Sequence, residues 1–201
     1  MKPRAFTLIE LLIVVAIIAI LAAVAVPNFL EAQTRARVSR CMSDMRTLAQ
    51  AVEVYQADCG EYPAYGRISS TGAVQFPATV NSMYDRMCFI SPAITTPLAY
   101  IATFPMDPFM NAPDDAELMR NIEYINLNQH VANMGSQPPA FAAQLIPAWG
   151  RWRMVGAGPD HDRGLDIKNN IVYDPTNGTI SDGDVVRCQR YGENKMNPIA
   201  P

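Results

Sequence analysis

The chain has 201 residues, enough for one ordinary domain with an appendage. Hydrophobic residues make up 49% and charged residues 17%, which excludes intrinsic disorder and a collagen-like repeat. The formal charge of −3, without any dense run of Lys and Arg, leaves no basic surface to follow phosphates, so no nucleic-acid partner is expected. Proline divides the chain: only Pro3 and Pro27 precede Gly60, and the rest follow it. The first part therefore reads as helix and the second as loops and short strands.

The chain opens on Lys2-Pro3-Arg4-Ala5, followed by Phe6-Thr7-Leu8-Ile9-Glu10-Leu11-Leu12. From Leu11 to Val26 every residue is apolar, and extending the stretch back to Phe6 adds only Thr7 and Glu10 as polar interruptions. At 1.5 Å per residue, a helix over Phe6–Val26 is about 30 Å long, the thickness of a bilayer's hydrocarbon layer. The core helix of a soluble domain would carry a polar face, and this one does not. An export signal has a shorter apolar stretch ending in a small-residue cleavage site. Ala22, Ala23 and Ala25 imitate such a site, but the run continues to Val26 and passes directly into a helical pattern, so a retained anchor is expected. Glu10 is costly in an apolar layer and needs either a charged partner or a place at the headgroups. Pro27 has no N–H and its ring crowds the Ala23 carbonyl, which predicts a kink or loosening of the helix. Arg35, Arg37 and Arg40 outnumber the leader charges and offset the positive-inside signal, so charge alone does not orient the span.

Beyond the span, Val38, Cys41, Met42, Met45, Leu48, Ala49, Val52 and Tyr55 follow the three-and-four spacing of one helix face. Arg35, Arg37, Arg40, Asp44, Arg46, Gln50 and Glu53 fall on the other face, toward solvent or neighbouring subunits. The spacing predicts a helix to about Ala57, closed by Asp58-Cys59-Gly60 with Gly60 as a left-handed cap. Residues 61–150 are punctuated by proline, and a short helix is expected around Asn81–Ile90 or Pro97–Thr103. Ile122–Leu127 reads as a strand, as does Trp152–Val155, which Gly156-Ala157-Gly158-Pro159 ends. Ile171-Val172-Tyr173 and Val185-Val186-Arg187 form a plausible pair, joined by turn-rich residues that include Asn177-Gly178.

Asp160, Asp162 and Asp166 lie close together in the stretch Gly158–Asp166, and calcium takes oxygen ligands of this kind. The spacing is not that of an EF-hand, because the position for the closing acid is Ile171. A calcium loop and a solvated turn both fit these residues. Asp174, Asp182 and Asp184 are weaker additional candidates. His130 and His161 stand in no recognisable catalytic or metal-ligand spacing and are expected at the surface. No nucleophile elbow, zinc-protease helix or phosphate loop is present, so the chain is not expected to be an enzyme. Cys41, Cys59, Cys88 and Cys188 form no Cys-x-x-Cys. They are disulfide candidates if the head faces an oxidising exterior, with buried thiols as the other possibility.

The leader, Phe6-Thr7-Leu8-Ile9-Glu10 and the apolar run to Val26-Pro27-Asn28-Phe29 together resemble a type IV prepilin or pseudopilin. The resemblance implies a leader at 1–5, a transmembrane and filament-core helix at 6–30, and a periplasmic pilin-like head at 31–201. It implies cleavage by prepilin peptidase between Ala5 and Phe6 and methylation of the new amine on Phe6. The family usually has Gly where Ala5 stands. Glu10 is implied to attract the Phe6 amine of a neighbouring subunit during assembly, and Pro27 to mark where the helix unwinds as subunits pack. Tyr62-Pro63, Phe104-Pro105-Met106-Asp107-Pro108-Phe109 and the acidic loop resemble elements of the major pseudopilin of type II secretion systems, in which the loop binds calcium. Phe104 and Phe109 replace that element's usual Leu and Trp.

The expected fold is α+β and pilin-like, a long N-terminal helix packed on a small antiparallel sheet. The expected function is that of a structural subunit of a secretion pseudopilus, a filament of identical subunits that supports protein export. Minor pseudopilins and an inner-membrane assembly platform are its implied partners, and the bacterial cytoplasmic membrane, crossed once, its implied location. A type IV pilin for adhesion, motility or DNA uptake is the alternative within the family. A signal-anchored monomeric periplasmic module is the alternative outside it.

Overall fold

The computed structural model describes residues 6–68, 74–75, 88–110, 120–135, 140–161, 172–176 and 183–192. Helix α1 spans Leu8–Cys59 without a break and passes through Pro27. It ends where Gly60 turns left-handed at φ 79° and donates its N–H to the Gln56 carbonyl at 2.9 Å, an arrangement that glycine adopts without steric cost. Val38, Cys41, Met45, Leu48, Ala49, Ala51 and Val52 are its buried residues, so the predicted stripe is the face that meets the head. The exposed Arg40–Asp44 pair, 3.8 Å apart, contributes about 0.3–0.5 kcal/mol. Each large buried side chain of the stripe contributes about 1.5–3 kcal/mol, so apolar burial fixes α1 to the head.

The head holds two three-stranded antiparallel sheets where one was expected. The first is ordered β2-β1-β3, from β1 (Tyr65–Ile68), β2 (Val74–Gln75) and β3 (Cys88–Ile90). The second is ordered β4-β5-β6, from β4 (Glu123–Asn126), β5 (Trp152–Gly156) and β6 (Val185–Cys188). A single 3-10 turn, Pro92–Ile94, follows β3. Residues 88–90 are strand and 97–103 form bends and coil, so neither expected helix is found there, and residues 76–87 lie outside the description. Strand β6 pairs with β5, and the expected 171–173 partner is reduced to one parallel bridge, Val172 to Asp184. Ile171 and Asn177-Gly178 are also outside the described residues.

Two short helices were not foreseen, α2 (Leu127–Ala132) and α3 (Ala142–Trp149). Pro147 concealed α3 because it removes one helical N–H, but Ala142, Leu145 and Trp149 still bury one face. Asn126 caps α2 by accepting the Gln129 N–H at 3.2 Å. Its amide also donates to the carbonyls of Tyr62 at 3.3 Å and Pro63 at 3.1 Å. The Gln129 side chain completes this bridge between the sheets: it accepts the Tyr65 N–H at 2.8 Å and donates to the Tyr65 carbonyl at 2.9 Å. A side-chain amide thus pairs with β1 as a neighbouring strand would.

Asp107 is 1% exposed and closes the Phe-Pro-Met-Asp-Pro-Phe turn. One carboxylate oxygen accepts the Phe109 N–H at 3.0 Å and the other the Ala157 N–H at 2.7 Å, just past β5. Gly156 lies at the same junction, where an added Cβ would come within 2.7 Å of the Cys41 sulfur and 3.3 Å of an Asp107 oxygen. Helix, strand and turn therefore meet on a glycine.

The expected disulfides are not formed, and all four cysteines are present as thiols. Cys41, Cys88 and Cys188 are 0%, 2% and 3% exposed and pack within the apolar core, while Cys59 is exposed at the end of α1. Burial also pushes the Cys188 thiol up from its usual pKa, which keeps it protonated. A thiol reagent should therefore modify Cys59 in the native full chain and reach the other three only on unfolding. Fewer than four reactive thiols in denaturant without reductant would reveal a disulfide. Asp107→Asn keeps the shape of the side chain but turns one acceptor into a donor facing an N–H. It should lower stability by about 1–3 kcal/mol, read as a lower urea midpoint with an unchanged slope.

Candidate functional site

The first turn of α1 is a capping box. The Thr7 hydroxyl accepts the Glu10 N–H at 3.3 Å, and the Glu10 Oε2 accepts the Thr7 N–H at 2.9 Å and the Thr7 hydroxyl at 2.7 Å. Threonine followed three residues later by glutamate is the sequence signature of this cap, so Glu10 is a capping residue as well as a charge. The other carboxylate oxygen, Oε1, has no hydrogen-bond partner among the described residues. Phe6, directly before the cap, is 72% exposed, and Ala5 lies outside the described residues.

The apolar half of α1 has no counterpart to pack against among the described residues. None of its most apolar stretch is buried. Leu8, Ile9, Leu11, Ile18, Ile20 and Leu21 all stand open, together with Phe29 and Leu30 just beyond Pro27. The helix is long and apolar enough to cross a membrane.

In the head, two elements far apart in sequence are brought together. Ala157 is held by Asp107, and four residues later His161 reaches Phe109. The His161 Nδ1 lies 2.6 Å from the Phe109 carbonyl oxygen. A carbonyl only accepts, so Nδ1 carries the proton and donates. The two rings meet edge to face, 6.0 Å between centroids. His161 adopts φ 62°, a left-handed conformation rare outside glycine, which aims its ring back at the turn.

Gly158 opens the acidic loop against Gly183. A Cβ there would fall 1.8 Å from the Gly183 carbonyl oxygen, so the approach requires glycine. Asp160 is exposed, and Asp162 and Asp166 lie outside the described residues. Among the described residues no three His, Cys, Asp or Glu side chains are gathered to hold a metal. Asp174 is exposed and accepts the Thr176 N–H and hydroxyl at 2.8 and 2.7 Å, which holds its carboxyl below the usual carboxylate range. Asp184 is buried, and Asp182 is outside the description.

Two polar side chains stand where the sequence did not place them. His130 is 6% exposed instead of at the surface, with Nδ1 3.2 Å from the Tyr65 hydroxyl. Glu53 was assigned to the solvent face but joins α1 to the second sheet. It accepts the Tyr62 hydroxyl at 3.0 Å, the Trp152 indole N–H at 2.7 Å and the Gln189 amide at 3.2 Å. Burial, and then the Glu53 carboxylate, push the Tyr62 hydroxyl above its usual pKa. Glu53 lies one residue from the buried Val52, at the border of the stripe, where helix periodicity does not separate rim from surface.

The description "Prokaryotic N-terminal methylation motif" matches residues 1–26. The chain is 44% identical over 80 residues to the type IV wide pilus major component PilA4 of Thermus thermophilus, covering 39% of this chain and 61% of that protein. It is 46% identical over 61 residues to the type IV major pilin protein PilA of Myxococcus xanthus, covering 30% and 28%. It is 37% identical over 62 residues to the type II secretion system core protein G of Escherichia coli, covering 31% and 43%. The chain thus spans less than two thirds of the length of each of these relatives. No solved structure matches it. The methylation motif, these relatives and a 52-residue N-terminal helix set on small antiparallel sheets agree in their likeness to type IV pilins and pseudopilins.

Proposed function

We propose that this chain is a structural subunit of a type II secretion pseudopilus, cut between Ala5 and Phe6 by prepilin peptidase, methylated on the Phe6 amine and assembled into a filament. The apolar half of α1, with none of its most hydrophobic window buried, carries this proposal. Such a surface is stable in lipid before assembly and against like helices afterwards. The head then sits outside the cytoplasmic membrane, and Pro27 supplies the point where α1 yields as subunits pack.

The capping box suggests how Glu10 serves both states. While the subunit is in the membrane, Oε2 is held by Thr7, which satisfies part of the carboxylate within its own helix. Oε1 is left to meet the positive amine of a neighbouring Phe6, so the charge pair forms without dismantling the cap. The secretion assignment within the family rests on Asp107 and Phe109, which tie the Phe-Pro-x-Asp-Pro element to the start of the acidic loop. A type IV pilus is the second reading, favoured by the matches to PilA4 and PilA. Deleting the gene separates the two: loss of exported proteins supports the pseudopilus, whereas loss of long surface fibres with export intact supports the pilus.

Calcium binding by Asp160, Asp162 and Asp166 is a separate part of the proposal, supported by their crowding of oxygen donors in sequence. A ligand that binds only the folded state must stabilise it. Purified full chain in detergent should melt higher in calcium than in chelator, and Asp160→Ala should reduce the difference. An unchanged melting temperature removes calcium from the account.

Coexpression with prepilin peptidase should give a chain beginning at methylated Phe6 by intact mass and N-terminal sequencing, while an uncut chain or a cut near Ala25 would overturn the filament proposal. Glu10→Leu should be inserted and cut normally but not assemble. Filaments at the normal level from that variant would remove the charge pair.

A further inference from the structure

Between the apolar half of α1 and the head, the helix carries Arg35, Arg37 and Arg40. Leu30 closes the exposed apolar stretch. At 1.5 Å per residue, Arg35 stands about 7 Å beyond it, Arg37 about 10 Å and Arg40 about 15 Å. The polar layer of one leaflet is about 5–7 Å deep. Side chains of a helix lean toward its N-terminus, here back toward the bilayer, and long arginine stems let the guanidinium lie well below its own backbone. Arg35 and Arg37 therefore reach headgroups, and Arg40 lies within about a Debye length of them.

The arrangement around the helix axis selects the partner. At 3.6 residues per turn, Arg35 falls on one flank of the buried Val38–Cys41–Met45 stripe, and Arg37 and Arg40 fall on the other. A protein partner meets a helix from one side, whereas lipid surrounds it, so a basic collar fits lipid. The Arg35 and Arg40 side chains are 60% and 76% exposed. Their ion-pair partners, Glu31 and Asp44, offset only part of the charge of the four arginines between residues 31 and 46. Asp174, near enough to act on the Tyr173 hydroxyl together with Arg35 and Glu31, is a further acid at this level among the described residues. Arg37 makes no ion pair among the described residues.

We propose that this arginine collar binds the anionic phospholipid headgroups of the leaflet from which α1 emerges, and so sets the height of the inserted subunit before assembly. The proposal rests on insertion of α1. Leader cleavage would sharpen the effect, because it removes Lys2 and Arg4 and leaves the basic side chains flanking the span all on the head side.

The test is electron spin resonance of the full chain in phosphatidylcholine bilayers, probed with spin-labelled phosphatidylglycerol or phosphatidylcholine. A motionally restricted lipid population reports insertion. Preference for the anionic probe within that population reports the collar. The expected preference is about two- to fivefold at low salt, falling toward one at 1 M salt. The combined Arg35→Gln, Arg37→Gln, Arg40→Gln variant should lose most of it with the restricted population unchanged, and the three lysine substitutions should retain it. Lys2→Gln with Arg4→Gln should leave a preference above one. A preference of one, or one unchanged in the glutamine variant, overturns the collar while leaving the anchor standing. Absence of restricted lipid overturns both.

Discussion

A continuous helix whose first half packs against nothing among the described residues is the constraint on which the rest depends. Burying a large aliphatic side chain is worth about 1.5–3 kcal/mol, and this half displays many without covering them. An apolar surface of this size is stable against lipid or against other helices. Because α1 runs unbroken to Cys59, the same rigid rod that meets those surroundings is also the spine of the head. Packing at one end fixes position at the other.

The head solves a different problem. Its strands are two to five residues long and would not hold together as isolated hairpins. They are fastened instead by side chains placed between elements: Glu53 from the helix to β5 and beyond β6, Gln129 against β1, and Asp107 from a turn to the end of β5. Each occupies both carboxylate or amide atoms, so truncating one would leave several groups unsatisfied. The distal half of α1 supplies the apolar face on which this assembly closes.

The charged residues of α1 stand at the junctions between those two regimes. Glu10 sits at the start of the apolar half with one oxygen committed to its own helix and one uncommitted, a division that lets a charge enter an apolar layer partly satisfied. At the other end of the apolar half, Arg35, Arg37 and Arg40 flank the buried stripe where the helix approaches the head.

The long apolar helix, the buried stripe from Val38 to Val52 and the Gly60 cap were legible in the sequence, since each rests on composition or on periodicity within one helix. Strands β4, β5 and β6 were legible for the same local reason. Tertiary structure decided what depends on distance. Two sheets formed instead of one, Glu53 and His130 turned inward, and Asp107 and His161 joined segments about fifty residues apart. The cysteines became core thiols because three of them fall where apolar packing encloses them. A single polar residue carries no periodic signal, so whether it faces water or bridges two elements is set only when the chain places a donor or acceptor opposite it.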